Sequence, residues 1–569
     1  MRTEERGYFT MGKPKIVIVG GVAGGASAAA KARRCSEDAE IIMFEKGPDI
    51  AYANCGLPYY LSGVIEDRDN LLIVTEKLFH RRFRVDVRIH REVIRIDRAR
   101  KVVMIKNVET GTTEEESYDR LILSPGSSPV IPPLPGINLP FVFTFKTLED
   151  MDLVHQYLQQ RDPQEAVIVG GGLIGMEVME NLWLKGVKVS IVEKLDQILP
   201  FLDWDMAELI RHHAEAKGVR FHLSQGLKAI EDRNGSGIVQ TEAGQTLKAD
   251  LVILSLGIRP NTALAREAGL EIGETGGIKV NELMQTSDPD IFAVGDCVES
   301  IHRVTGSPFL TPMGSAANKQ GRAAGANALG RKIAIKGFVG TVILKVFDLT
   351  IAKTGLSEIE SRRAGFDPLV TFIHPDHIAG YYPGSKPLNM KTITDCTSGR
   401  LLGGQVIGEE GVDKRIDVLA TAIYHRMDLQ ELLQLDLAYA PPYSAARDPV
   451  VIAGAVGQNF FEGDWIPITP AVLKEKIEAR EDLALIDVRS RMEVLQEGMI
   501  PGAIHIPLDR LRDHLDQLDK VRDTVVYCRT GLRSYLATRI LMQKGFTRVK
   551  NLTGGTMSWG YPLKKGSVK

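Results

Sequence analysis

Ala166-Val167-Ile168-Val169-Gly170-Gly171-Gly172-Leu173-Ile174-Gly175 decides the fold. An apolar run of strand length feeds G-x-G-x-x-G, a helical pattern follows, and a second strand, Val189-Ser190-Ile191-Val192, ends on the acidic Glu193. That order is the signature of a βαβ unit holding a dinucleotide. The glycines let the backbone approach a pyrophosphate, the helix start favours its charge, and an acid about 20 residues on accepts from ribose hydroxyls. Gly170, Gly172, Gly175 and Glu193 are therefore candidate cofactor contacts. Glu193 should repel a 2′-phosphate, so NADH is favoured over NADPH, with Lys194 leaving some room for the latter.

Working outward, a weaker copy precedes this unit. Ile16-Val17-Ile18-Val19 leads into Gly20-Gly21-Val22-Ala23-Gly24-Gly25, a helix is expected from Ala26 to Arg34, and the strand Ile41-Ile42-Met43-Phe44 ends on Glu45. Val22 replaces the middle glycine, but strand, turn and acid keep their places. Asp119 to Gly126 reads as a strand returning to that nucleotide, and Pro129, Pro132, Pro133 and Pro135 mark the exit from it. The second unit closes at Leu254-Ser255-Leu256-Gly257, after which a strand from Thr286 to Asp296, ending in Gly295-Asp296, goes back to the first. One nucleotide unit is inserted in another. Gly20, Val22, Ala23, Gly24, Gly25, Glu45, Gly126, Gly257, Gly295 and Asp296 complete the cofactor set.

Just beyond Glu45 stands Tyr52-Ala53-Asn54-Cys55-Gly56-Leu57-Pro58. A lone cysteine is usually a small buried hydrophobe. Beside a nucleotide and ahead of a helix-capable segment, Cys55 reads instead as a thiolate stabilised by local dipoles. A second cysteine, Cys528, follows the strand Thr524-Val525-Val526-Tyr527 and opens Cys528-Arg529-Thr530-Gly531-Leu532-Arg533-Ser534, directly before a helix expected over 535–544. The amides of such a loop form an anion cradle around sulfur. Cys35, Cys297 and Cys396 have no such setting and are expected to be structural.

At 569 residues the chain needs three or four domains. Its 44% hydrophobic and 25% charged content is that of a soluble protein, and a net charge of −2 argues against nucleic acid or an anionic membrane as partner. Five cysteines without a C-x-x-C predict neither a disulfide scaffold nor a zinc site, hence no metal and a reducing, cytoplasmic setting. No apolar run reaches the roughly 20 residues that span a bilayer. Met11-Gly12-Lys13-Pro14 is an alternative start to Met1.

With these motifs in place, residues from about 11 to 455 resemble the flavin-dependent pyridine nucleotide-disulfide reductases, most closely their single-cysteine coenzyme A-disulfide and persulfide reductase branch; Tyr439-Ala440-Pro441-Pro442-Tyr443-Ser444 adds to the likeness. The last hundred residues, with Gly554-Gly555 and Trp559, resemble a rhodanese domain. The resemblance implies an α/β chain of two nested Rossmann-like domains, an α+β dimerisation domain and a C-terminal α/β rhodanese domain. The expected boundaries are 11–125 with 262–336 for FAD, 126–261 for NAD(P)H, 337–455 for dimerisation, 456–465 as linker and 466–569 for rhodanese. It implies a homodimer in which Tyr381 and Tyr439 of one chain approach Cys55 of the other. It also implies coenzyme A (CoA) contacts at Ser27, Lys31, Arg34, Asn54 and Arg447, with Arg82 a looser match; Lys31 and Arg34, at i and i+3, would share a helix face. Ala51 stands where a relative carries serine and Asn318 where one carries histidine. The implied activity is FAD-dependent NAD(P)H reduction of CoA persulfide, polysulfide or CoA disulfide, with sulfur transfer at Cys528. The rivals are a flavin NADH oxidase or peroxidase cycling a cysteine sulfenic acid, against which the peroxidases' histidine is replaced by Ala23, and a sulfur-carrier or redox-sensing protein.

Overall fold

The computed structural model describes residues 13–233 and 235–565, so the alternative start at Met11-Gly12 lies outside the described residues. The chain forms two compact units, one of residues up to 194 with 225–338, the other of 195–224 with 339 onward.

In the first unit Lys15–Val19 is the centre of a parallel sheet, flanked by Glu40–Phe44 and then Asp86–Arg88 on one side, and by Arg120–Leu123 and then Ile291–Ala293 on the other. Residues 16–19, 41–44, 121–123 and 291–293 are unbroken apolar runs because both faces of the sheet are covered there, whereas the edge strand Asp86–Arg88 buries only Val87. On one face the helix Ala23–Cys35 buries Ala28, Ala29 and Ala32 beside Ala323 and Ala324 of Gly314–Asn327, small side chains that let two helices lie close. A second parallel set places Glu165–Val169 between Lys188–Val192 and Leu251–Leu254, with Val142–Thr144 beyond. The chain leaves the first set along Ser127–Pro129 and returns along Ile258–Pro260, and these two short strands pair antiparallel. The insertion is thus a loop closed at its own neck.

The second unit holds an antiparallel sheet in the order Val342–Val346, Leu349–Gly355, Leu401–Gly408, Leu388–Asp395, Pro368–Ile373, with the helix Val412–Tyr424 against it. Its other sheet is parallel, in the order Pro467–Ile468, Val549–Leu552, Asp523–Tyr527, Leu483–Asp487, Ile504–His505. The segment 195–224 joins this unit through a buried charge cluster. Lys391 Nζ, fully buried, lies 3.0 Å from Asp203, 2.9 Å from Asp205 and 3.3 Å from Glu358. Trp204 stacks on Tyr561 with ring centroids 5.2 Å apart.

Three local expectations shift. The helix after the first glycine turn begins at Ala23, because the turn's own residues take helical geometry. The strand expected from Thr286 to Asp296 is only Ile291–Ala293, and Gly295–Cys297 is a 3-10 turn. The stretch 456–465, expected as a linker, starts inside the helix Pro449–Phe461, and Trp465 Nε1 donates to Val456 O at 3.1 Å, folding the remainder back onto that helix.

Candidate active sites

The two glycine turns share one construction. Gly20 has φ +91° and Gly170 φ +109°, a left-handed backbone that favours glycine. A Cβ on Gly25 would fall 1.8 Å from Gly20 O, and one on Gly175 2.1 Å from Gly170 O. Each strand-end acid then bonds its own turn: Glu45 Oε2 accepts from Gly21 N at 2.7 Å, and Glu193 Oε2 from Gly171 N at 2.7 Å. Neither following helix has a side-chain cap or an acidic residue in its first turn, so the amide ends face an anion unopposed. Both cradles fit a dinucleotide pyrophosphate.

Cys55 sits in the 3-10 turn Asn54–Gly56, immediately before the helix Leu57–Ser62, and is exposed. Asn54 Nδ2 donates to Lys146 O at 3.4 Å, and Lys146 Nζ reaches Asp296 Oδ2 at 2.9 Å, which also accepts from Ser127 Oγ at 2.8 Å. The surroundings of Cys55 work against the expected dipole-stabilised thiolate. Burial of the sulfur first, then the Glu177 carboxylate, push the Cys55 thiol up, and Lys146 opposes them only in part. Glu177 lies on Leu173–Leu184, which packs on the helix after Cys55. Its own carboxyl is pushed up to about 7 by burial and then by Glu180. Tyr59, on the same side, is pushed up to about 12 by burial, Glu177 and Glu180.

Cys528 is fully buried at the end of Asp523–Tyr527. Gly531 N donates to its Sγ at 3.1 Å and Ser534 Oγ lies 3.5 Å away, at the start of Leu532–Gln543. Gly531 takes φ +101°, which turns its amide inward. Arg533 is held by Glu493 at 2.5 and 2.7 Å, and this pairing brings the Glu493 carboxyl down to about 2. Behind the loop, Arg489 is wholly buried and bonds Asp487, Glu497 and Gly498 O, fixing the base of the neighbouring strand.

Residues 14–315 match the pyridine nucleotide-disulphide oxidoreductase family model, 341–450 its dimerisation domain and 469–561 the rhodanese-like domain. The chain belongs to the pyridine nucleotide-disulphide oxidoreductases. A coenzyme A disulfide reductase of Staphylococcus haemolyticus is 33% identical over 441 residues, 77% of this chain and 98% of that one. Among solved oxidoreductases, reduced CoADR-RHD of Bacillus anthracis superposes with TM-score 0.93 at 42% identity, covering 97% of this chain and 98% of that. An NAD-dependent persulfide reductase from A. fulgidus gives TM-score 0.89 at 38% identity over 96% of this chain and all of that one, 100%. The likeness therefore includes the rhodanese region.

The other candidate residues lie as follows. Ser27 Oγ donates to Asn318 Oδ1 at 2.6 Å, so the asparagine that replaces a relative's histidine is bonded to one of the proposed CoA contacts. Arg34 and Arg82 are exposed and Lys31 half-buried, whereas Arg33 turns inward and donates to the carbonyls of Phe83, Arg84, Ser36 and Glu37. Arg447 is exposed in the second unit, as are Tyr381 and Tyr439. Gly126, Gly257 and Gly295 all have positive φ, while Val22 precedes the helix in which Ala23 and Gly24 form the first turn. Of the other cysteines, Cys297 is buried with its thiol pushed up to about 12, and burial takes Cys396 to about 11. Among the described residues no cluster could hold a metal. Sequence reasoning missed Glu177 and Lys146: one stands two residues past the glycine motif, the other before a helix cap, and neither position announces that its charge acts on Cys55.

Proposed function

We propose that this chain is a FAD-dependent NADH reductase of CoA persulfide, CoA disulfide or polysulfide that works through Cys55, with Cys528 carrying sulfane sulfur. The observation that carries the reading is that one chain holds both an exposed thiol, acted on by the opposite charges of Lys146 and Glu177, and a second, amide-cradled thiol. FAD is held by the first glycine turn with Glu45 and Asp296, NADH by the second with Glu193. The bound pair supplies two reducing electrons taken from NADH as hydride.

The chain's own residues do the sulfur chemistry. Lys146 counters part of the cost of ionising Cys55. The Cys55 thiolate attacks the outer sulfur of a CoA persulfide, the sulfur–sulfur bond breaks, and CoA leaves as thiol once a proton reaches it, leaving a Cys55 persulfide. Two electrons and two protons return that persulfide to thiol and hydrogen sulfide. With CoA disulfide the same attack breaks the sulfur–sulfur bond, one CoA leaves as thiol once protonated, and the Cys55–CoA mixed disulfide is returned to thiol by two electrons and two protons with release of the second CoA thiol. Ser27, Lys31, Arg34, Asn54, Arg82 and Arg447 meet the phosphates and the adenosine end of CoA, in a cytoplasmic homodimer in which Tyr381 and Tyr439 of one chain protonate the leaving sulfur at the other chain's Cys55.

Anaerobic NADH oxidation with a panel of CoA persulfide, CoA disulfide, polysulfide and hydrogen peroxide tests this. Turnover is expected with the sulfur compounds and lost in Cys55→Ser, while NADH still bleaches the flavin of that variant. Peroxide as the preferred acceptor, or faster NADH oxidation in a parallel aerobic assay without sulfur compounds, would establish the oxidase or peroxidase reading in its place.

A further inference from the structure

The cysteine loop of Cys528 rests on a turn that the dimerisation sheet holds. Thr556 N donates to Cys528 O at 2.8 Å and Met557 N to Arg529 O at 3.1 Å, so the turn at 553–557 forms the floor of the loop. The fit is tight: a Cβ on Gly555 would lie 2.3 Å from Cys528 O, and one on Gly554 2.6 Å from the Phe372 side chain. From the other side, Phe372 N donates to Thr553 Oγ1 at 2.9 Å, a buried bond. Next along the chain, just past Pro368–Ile373, His374 Nε2 lies 3.1 Å from Gly554 O.

The ring's chemistry fits a fixed donor. A carbonyl only accepts, so His374 Nε2 carries the proton. Nδ1 lies 2.8 Å from Asn389 Oδ1, and a neutral ring protonated at Nε2 accepts there once the Asn389 amide is turned to present its Nδ2, which locks the ring plane. Burial pushes the His374 imidazolium down, keeping the neutral ring with one donor and one acceptor. Neither hydrogen-bonded neighbour is charged.

We propose that His374 is a positioning residue for Cys528: by gripping Gly554 it holds the floor of the cysteine loop, so sulfur transfer runs at full rate only while the dimerisation sheet supports the turn. The inference rests on the reading of Cys528 as a sulfur carrier. In that step the thiolate attacks the outer sulfur of thiosulfate, the sulfur–sulfur bond breaks, and sulfite departs with the electron pair. Cyanide then takes the sulfane sulfur as thiocyanate and restores the thiolate. A displaced loop misaims the amides that stabilise the anion in both halves, and misplacement of about 1 Å costs on the order of 100-fold in well-oriented reactions.

The test is thiosulfate:cyanide sulfurtransferase activity of the full-length holoenzyme. His374→Ala is expected to lower kcat about tenfold with the thiosulfate KM within about twofold, and Thr553→Val, which removes the acceptor for Phe372 N–H, to do the same. His374→Gln, whose amide nitrogen can reach Gly554 O, is expected to recover kcat to within about threefold of the parent. NADH-dependent CoA-disulfide reduction through Cys55 serves as the control and should not change in any of the three. An unchanged kcat in His374→Ala, a glutamine variant as slow as the alanine one, or equal loss of the Cys55 reaction overturns the proposal. Should the alanine variant not fold, His374→Gln against Thr553→Val decides it, equal rates being the overturning result. Cys528→Ala separates the two levels: activity surviving that change removes the carrier reading itself.

Discussion

The hydroxyls of Tyr381 and Tyr439 lie 3.5 Å apart, although the two residues belong to separate loops of the second unit. Both side chains are exposed, so the pair is offered to something outside its own fold. The hydrogen bond to Tyr439 raises the Tyr381 hydroxyl above its ordinary value, so Tyr381 keeps its proton at neutral pH. Each hydroxyl can replace the other in part. Tyr381→Phe or Tyr439→Phe alone should therefore cost only about threefold in kcat for CoA persulfide, and the double variant roughly 100-fold, the usual scale of a proton donor. Flavin bleaching by NADH should be unaffected in all three. Stopped-flow absorbance separates the two half-reactions, and a defect confined to bleaching would contradict the role.

Glu177 should set a pH dependence of its own. With its carboxyl pushed up to about 7, it is neutral in mild acid and becomes an anion beside Cys55 at higher pH. Glu177→Gln removes that charge, so the pH profile of Cys55 alkylation by iodoacetamide should move to lower pH. The sign for stability follows from proton binding. Between the ordinary value of 4.5 and about 7 the folded state holds the proton more tightly than the unfolded chain, so the parent loses stability as pH rises. At pH 8 the glutamine variant should gain up to roughly 3 kcal/mol relative to the parent. Parallel melting curves across this range would argue against the shift.

Glu193 should govern the choice of nicotinamide cofactor. Its carboxylate is fixed by Gly171 N–H at the strand end, where a 2′-phosphate would be repelled. The expected result is kcat/KM for NADH at least about tenfold above that for NADPH, a gap that narrows in Glu193→Gln. A preference for NADPH in the parent would count against it.

Cys528→Ser should separate the two sulfur centres. Activity with thiosulfate or polysulfide as donor, CoA being present, should fall to background, while preformed CoA persulfide is still reduced through Cys55. Hydrogen sulfide release measured for each donor gives the comparison. Equal loss with all donors would make the domain structural, and no loss with any would leave the second thiol idle.

What could be read from the sequence was local. The glycine turns, the strand-end acids Glu45 and Glu193, and the loop after Cys528 each carry their geometry within a short stretch of chain, because backbone approach and amide direction are set by neighbours. What could not be read depends on distant packing. Glu177 acts on Cys55 only because two helices far apart in sequence lie together, and Arg33 differs from Lys31 and Arg34 only in which side of one helix it occupies. The burial of Lys391 among three carboxylates was equally hidden, since its partners come from 195–224 and from Glu358. The rise in the Cys55 thiol has the same origin, a charge contributed by another element.

The helix Pro449–Phe461 joins the dimerisation sheet to the rhodanese region without a slack stretch before Trp465 folds back on it. A helical junction transmits phase as well as length. Each residue inserted or deleted within it rotates everything downstream by about 100° and shifts it by about 1.5 Å. A single such change would swing Thr553 and Gly554 away from Phe372 and His374, whereas seven residues would nearly restore the angle but leave the domain about 10 Å farther out. Chimeras between relatives therefore have to be spliced by helical register, and the junction tolerates substitutions far more readily than changes in its count.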